Sequence, residues 1–412
     1  MRPISAWTDE QAQQNAGTVC ARRCAVPSVD SGAVVILLAG SLTLVAYVFA
    51  GYPAITALLA RLCPRPVHAH AGFTPKISLI ILAYNEQDVI EAKLRNVAEL
   101  DYPPERLEVL VVTDGSDDGT AERAGRTPGV SVLHRPERRG KLAAINRGVE
   151  ASTGEVLVFS DANNLYSLNA IRELVRPLSD PAVGLVTGRK AIEAEGGSAL
   201  DQVEGLYWRY ESKIKEWESA SGSVVGVAGE ILAFRREAYR SPPAGVITED
   251  FVQALLVASS GWRVLYAPQA VSVERASATI EDEAVRRARI TTGRAQALRR
   301  WLPVLLRSHP RLAWQVISHK GLRPLVPWAL LCAAASNLQL APSRSWARAL
   351  LVLQALFYGA AARGWRNERT GRHSRWTYLP FYFCRMNAAT LRGLRDFAGG
   401  RQEAVWARVR RG

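Results

Sequence analysis

Acidic residues follow three short apolar runs of this sequence, and their placement is the first sign of chemistry. Val156-Leu-Val-Phe159 runs into Ser160-Asp161-Ala162-Asn163. Leu107-Glu-Val-Leu-Val-Val112 runs into Thr113-Asp114-Gly-Ser-Asp-Asp-Gly-Thr120, and Ile77-Ser-Leu-Ile-Ile-Leu82 into Ala83-Tyr84-Asn85-Glu86. A carboxylate so placed can hold a divalent cation, and the cation can hold a diphosphate. Asp and Asn also turn chains and cap helices throughout proteins, so for Asp161 taken alone both readings stand. Further on, Val246-Ile-Thr-Glu249-Asp250-Phe251 sets two acids at the start of a helical pattern. The helix dipole favours acids there, with or without a catalytic role.

Positioning these residues needs a sheet. The three apolar runs are rich in β-branched residues, as buried parallel strands are. Ser131-Val-Leu133 adds a short strand, and residues 91–100 and 141–151 carry helical periodicity. Strands alternating with helices predict an α/β fold with a doubly wound, mostly parallel sheet and right-handed crossovers. Ligands of such sheets bind beyond the carboxyl ends of the strands. The three acid-bearing ends are therefore expected to face one cleft, with glycines in the 114–120 loop letting the backbone approach a ligand.

The chain has 412 residues, 48% of them hydrophobic, and a net charge of +14. That accommodates one large soluble domain and a membrane part, with phosphate-bearing substrates, anionic lipid or nucleic acid as partners of the positive charge. Residues 1–32 are polar and mixed in charge, and a disordered tail is expected. Residues 33–62 are uncharged up to Arg61 and long enough to anchor the chain in a bilayer, with Arg61, Arg65 and Lys76 after them placing the next domain in the cytosol. From Arg286 to Arg323 there are ten Arg or Lys residues and no acid, interleaved with Trp301 and Trp314. Apolar runs follow at 325–340 and 347–362, so the basic stretch is expected along a membrane surface and nucleic acid is excluded as a partner. Residues 363–375 read as a basic cytosolic loop, and 378–391, apolar but holding Arg385 and Asn387, as interfacial or re-entrant. The five cysteines are scattered; Cys20 and Cys24 have no second pair or histidines nearby, which argues against zinc and against a disulfide framework.

These motifs, in this order, resemble family 2 glycosyltransferases, and within them the membrane-integrated branch of cellulose, hyaluronan and poly-N-acetylglucosamine synthases. The resemblance rests on Ala83-Tyr-Asn-Glu86, Asp114-Gly-Ser-Asp-Asp-Gly-Thr120, Gly140-Lys141-Leu-Ala-Ala-Ile-Asn146, Ser160-Asp161-Ala-Asn163, Gly226-Val-Ala-Gly-Glu-Ile-Leu-Ala-Phe-Arg-Arg236, Thr248-Glu249-Asp250-Phe251 and Arg286-Arg-Ala-Arg289. It implies a GT-A domain over 76–275, basic interfacial helices over 276–323, a C-terminal membrane region over 324–398 and a basic tail over 399–412. The enzyme would be inverting and use a nucleotide-sugar, as a UDP-sugar, with Mg2+ or Mn2+. The acceptor would be a saccharide or a lipid-linked one, at a multi-pass inner-membrane site in contact with membrane lipids, for an exported polysaccharide or glycolipid.

The same resemblance implies roles. Tyr84 and Glu86 lie near the nucleotide, Asp114 accepts from the nucleobase, and Asp161 reaches the metal or the donor sugar. Lys141 neutralises phosphate or is a solvated lysine at a helix start. Asp250 is the general base, with Glu249 its nearest competitor, and Arg287 and Arg289 contact the diphosphate. The departures are Asn163 where the family has a second acid, Leu82 for a common proline, and Arg286-Arg-Ala-Arg289-Ile290 without the Gln and Trp of the Gln-x-x-Arg-Trp motif that accompanies processive synthesis. Transfer of a single sugar to a lipid carrier or diacylglycerol is the alternative activity, and an inactive membrane scaffold the alternative class.

Overall fold

The computed structural model describes residues 31–70, 72–193, 199–275, 277–370 and 374–401. Residues 1–30 and 402–412, and with them most of both expected tails and the Cys20/Cys24 pair, lie outside the described residues. The chain opens with helix α1 (Ser31–Leu62), which passes through a π-helical turn at Tyr47–Gly51. There follow β1 (Ile77–Ala83), α2 (Ile90–Ala98), β2 (Leu107–Asp114), α3 (Thr120–Gly125), β3 (Val130–Arg135), α4 (Lys141–Ala151), β4 (Val156–Asp161), β5 (Leu165–Tyr166) and α5 (Ala170–Val175). Next come β6 (Val183–Glu193), α6 (Ala199–Ser221), β7 (Ile231–Arg235), α7 (Glu249–Ser259) and β8 (Arg263–Arg275). Five helices end the described chain: α8 (Ile280–Ser308), α9 (Pro310–Val316), α10 (Val326–Leu340), α11 (Ser345–Arg369) and α12 (Arg375–Ala398).

All eight strands form one sheet in the order β3-β2-β1-β4-β7-β6-β8-β5. The half from β3 to β4 is parallel, as the alternation of strands and helices implies. In the other half β7 runs antiparallel to both β4 and β6, and β5 antiparallel to β8. The chain winds from β1 to β2 and β3 on one side and returns to β4 on the other. The carboxyl ends of β1 and β4 therefore flank a topological switch point, where open α/β sheets form a crevice. Register places Leu82 beside Asp161 and Ala83 beside Thr113, so the turns after β1, β2 and β4 emerge side by side.

Both faces of the sheet are covered. Leu79 and Ile81 pack under α2 and α5 with Ile90, Leu94, Ile171 and Leu174, while Ile80 and Leu82 pack on α4 and α7 with Ile145, Ala254 and Val257. Each such buried side chain contributes roughly 1.5–3 kcal/mol, so the strands are fixed by burial on two sides rather than by alternation with solvent. A third cluster joins α7 to α8 and α9 through Val246, Phe251, Leu255, Ala297 and Leu312. A fourth joins α6, α8 and α12 through Val203, Ala284, Phe381 and Met386.

α1 and α11 are long and apolar enough to cross a membrane. One expectation for the C-terminal half is corrected. The basic segment expected as a loop over 363–375 is helical to Arg369, because Arg and Glu sustain a helix and cations suit its last turn. Residues 378–391, expected as interfacial or re-entrant, lie within the single helix α12, whose buried stripe of Tyr378, Phe381, Tyr382, Met386 and Ala389 faces its neighbours. Trp314 packs against Tyr52 of α1 with ring centroids 5.5 Å apart, and Trp301 leans on the cluster of α7 and α8, so both are held by the protein's own helices.

Candidate active site

A cleft of about 970 Å³ opens at the carboxyl ends of β1 and β4, and Tyr84, Glu86, Lys141, Asp161, Glu249, Asp250 and Arg289 all line it. Seven residues expected at the site thus come together from segments more than two hundred residues apart. The loop after β1 and the loop after β2 are knitted to each other by their own polar groups. Asn85, at φ 52°, donates to Asp117 at 2.7 Å, Asp117 N–H donates back at 3.1 Å, and Glu86 N–H donates to Thr120 Oγ1 at 2.8 Å. Asp118 caps Thr120 N–H at 2.9 Å. Asp117 and Asp118 are therefore loop-building residues.

Asp114 is 5% exposed, and its two oxygens accept the N–H groups of Arg139 at 2.9 Å and Gly140 at 2.7 Å. It pins the segment leading into α4 and is not part of the cleft lining. Gly115 beside it has φ +73°, and a Cβ there would come within 2.7 Å of Arg138 Cβ. No other residue type suits that position. The clamp brings the Arg138 guanidinium 3.7 Å from the centre of the Tyr84 ring, a stacked pair at one end of the cleft.

Lys141, the first residue of α4, extends into the cleft floor. Its Nζ donates to Asp161 Oδ1 at 2.7 Å and lies 3.6 Å from Glu249 Oε1. Burial works against its charge, but Asp161, Glu249 and Asp250 outweigh it and hold the ammonium above the usual lysine range. The solvated reading of Lys141 is thereby replaced by a partly buried ion pair. On Glu249 and Asp250 burial raises the pKa above the ordinary carboxylate range, against the pull of Lys141. Asp250 Oδ1 accepts Phe251 N–H at 2.7 Å. Its carboxylate packs on Gly229, where a Cβ would stand only 3.3 Å from Asp250 Oδ2.

α8 supplies the cations of the far wall, but not both of those expected. Arg289 lines the cleft and donates to Ile247 O at 3.3 Å. Arg287 does not line it; consecutive helical residues diverge by about 100°, and Arg287 turns to Glu283 at 3.3 Å and the Tyr207 hydroxyl at 3.3 Å. Arg286, three residues before Arg289 and on its face, takes that place in the lining. Lys190, Glu230 and Glu274 also line the cleft, Lys190 paired with Glu274 and 3.5 Å from Glu230. Glu230 stood inside the Gly226–Arg236 motif without a role, whereas Lys190, Glu274 and Arg138 carried no sequence signal.

Among the described residues no group of three or more His, Cys, Asp or Glu is arranged to hold a metal. What the cleft offers is the Asp161 carboxylate and Asn163, whose Oδ1 is buried without a hydrogen-bond partner. Two oxygen donors suit a hard divalent cation that takes its other ligands from phosphate and water.

Residues 78–241 match the family described as Glycosyl transferase family 2. The poly-beta-1,6-N-acetyl-D-glucosamine synthase of Staphylococcus aureus (strain MSSA476) is 28% identical over 203 residues, 47% of this chain and 48% of that protein. An N-acetylglucosaminyltransferase of Rhizobium meliloti (strain 1021) is 28% identical over 216 residues, 48% of this chain and 50% of that one. The chain spans about half the length of the curated relatives it matches. A solved mannosyltransferase from Pyrobaculum calidifontis, in complex with GDP-Man and Mn2+, superposes with a TM-score of 0.65 at 28% identity and covers 87% of this chain and 99% of its own.

Proposed function

Since the chain carries a family 2 glycosyltransferase domain with a GT-A fold, we propose that it is a membrane-bound, inverting enzyme that moves a sugar from a nucleotide-sugar to a saccharide or lipid-linked acceptor. The observation that carries this reading is the convergence of Lys141, Asp161, Glu249 and Asp250 in one cleft at the switch point of the sheet. The nucleobase stacks at the Tyr84–Arg138 end, with Glu86 and Asp114 behind it. The diphosphate lies over Asp161, Lys141 and Arg289. Asp161 and Asn163 would hold Mg2+ or Mn2+, which supplies fixed positive charge to the diphosphate when bound. Asp250 takes the proton of the acceptor hydroxyl while its oxygen bonds to the anomeric carbon. The bond from that carbon to the diphosphate oxygen breaks, the configuration inverts, and the nucleoside diphosphate departs against the cations of α4 and α8.

Transfer of one or a few sugars is favoured over long-chain synthesis. One observation supports it: Arg286-Arg-Ala-Arg289-Ile290 lacks the Gln and Trp of processive synthases. The catalytic domain is read as cytosolic, beside the inner membrane crossed by α1, α10 and α11. The test is the purified chain in lipid, offered UDP-sugars and GDP-mannose with Mg2+ or Mn2+, with nucleoside diphosphate release and product length measured. Release of diphosphate with short products is expected, and nucleotide binding without any transfer would instead support an inactive scaffold.

A further inference from the structure

Lys93 of α2 is 0% exposed and lies beneath the turn that carries Asp161. Among the described residues no carboxylate is within ion-pair distance of it. An ammonium taken out of water without such a partner is a costly thing for a fold to keep. Its contacts are specific. Nζ donates to Asn164 Oδ1 at 2.6 Å and stands 4.0 Å from the centre of the Tyr166 ring. Asn164, itself 0% exposed, also accepts from Ser160 Oγ at 3.0 Å and donates to the Glu230 carbonyl at 3.0 Å. The Tyr166 hydroxyl donates to the same carbonyl at 2.9 Å. Three residues along α2 on the same face, Asn96 donates to Tyr166 O at 2.9 Å and accepts Tyr166 N–H at 2.8 Å. α2 therefore grips the 160–166 turn from below, and that turn grips the backbone of Glu230, next to the Gly229 on which Asp250 packs.

We propose that Lys93 is a positioning residue for donor binding, its ammonium holding the Asp161–Asn163 turn, through Asn164, in register with the Gly229–Asp250 wall. The proposal rests on the reading that this turn receives the donor diphosphate. Burial draws the Lys93 pKa down to about 7 and the Asp161 carboxylate opposes that. Asp161 belongs to the turn that Lys93 holds; Tyr166 also faces the Lys93 Nζ, and Glu230 lies beyond Asn164. A methionine would fill the same space, so packing alone does not call for lysine.

The test uses the full chain in lipid nanodiscs, titrated with UDP and with GDP in the presence of Mn2+. Lys93→Met, Asn164→Ala and the double variant form one cycle, with thermal midpoints measured alongside. Lys93→Met is expected to weaken nucleotide binding by about tenfold or more, the size of one charge-assisted hydrogen bond. The double variant should bind no more weakly than Asn164→Ala, since the two residues act as one unit. In turnover, donor KM should rise more than kcat falls. Lys93→Gln, which keeps an N–H donor without the charge, should fall between wild type and Lys93→Met, and it takes the place of Lys93→Met in the cycle if that variant does not fold. Wild-type affinity in the folded Lys93 variant, or effects that multiply in the double variant, would overturn the proposal. A wild-type chain that binds neither nucleotide would overturn the functional reading beneath it.

Discussion

The cleft's two neighbouring acids differ in what surrounds them, and the difference favours Asp250 as the base in the proposed reaction. Glu249 lies 3.6 Å from the Lys141 ammonium, which it shares with Asp161. Asp250 spends one oxygen on Phe251 N–H and, among the described residues, its Oδ2 carries no hydrogen bond. Lys141 pulls on both carboxylates, but Glu249 meets its ammonium at 3.6 Å, and a carboxylate in direct contact with a fixed cation is the weaker base. Removing a positioned general base costs about 10²- to 10⁴-fold in rate, so Asp250→Asn should abolish most transfer while nucleotide affinity changes little. Glu249→Gln with the larger kcat loss would reassign the role. A pH dependence follows from the same environment. As the proposed base Asp250 would work only when ionised, and burial raises its pKa above the ordinary aspartate range. Activity should therefore be present above that raised pKa and lost as pH falls through it, at a higher pH than for an exposed aspartate. A kcat/KM profile flat down to the ordinary carboxylate range would contradict this.

Elements decide which of several similar residues reach the site. On α8, Arg289 and Arg287 have the same chemistry, and only the helix turn separates a cleft-lining cation from one paired with Glu283 and Tyr207. A hydrogen bond to a charged group is worth about 1.5–3 kcal/mol, so Arg289→Ala should weaken nucleotide binding roughly 10- to 100-fold. Arg287→Ala should leave that affinity near wild type and lower thermal stability instead, since Glu283, 1% exposed, would lose one of its two arginine partners. Isothermal titration with nucleotide beside thermal melts separates the two. The strands of the parallel half, helix α4 and the acids at the strand ends were legible because burial on both faces leaves unbroken β-branched runs and because acids at their ends are a local pattern. The face on which Arg287 points was not, since it depends on what packs beyond α8. Lys93, Arg138, Lys190 and Glu274 were silent for a related reason. Each is placed by a partner far along the chain, and nothing in its neighbours distinguishes it from a surface charge. Asp114 shows a subtler limit: its motif was visible, but not that both of its oxygens serve the backbone of residues 139–140.

For the molecule as a whole, the helices fix how the domain meets a bilayer. α1 ends at Leu62, residues 63–76 link it to β1, and Arg61, Arg65 and Lys76 follow its apolar part. α10 leaves the catalytic layer and packs along α1 through Ala333 and Leu340 against Val34 and Leu38. With 15 residues it rises about 22 Å, enough to traverse most of a hydrocarbon core together with its flanks. α11 returns, and its end meets the start of α12 at Gly364 and Phe381, beside the residues of α6 and α8. Arg363, Arg366 and Arg369 mark that returning end, against Arg344 and Arg348 at the other. Cations within about 15–20 residues of a span favour the cytosolic side, so the catalytic domain, Cys63 and the end of α11 are expected inside and the exposed turn at Ser343 outside. With Cys63 as the only cysteine, a membrane-impermeant maleimide should react only after the cells are opened. With Ser343→Cys as the only cysteine, it should react on intact cells. The reverse pattern would place the domain outside, away from the cytosolic nucleotide-sugars that the proposed reaction needs, and labelling of both in intact cells would mean that α10 and α11 do not cross.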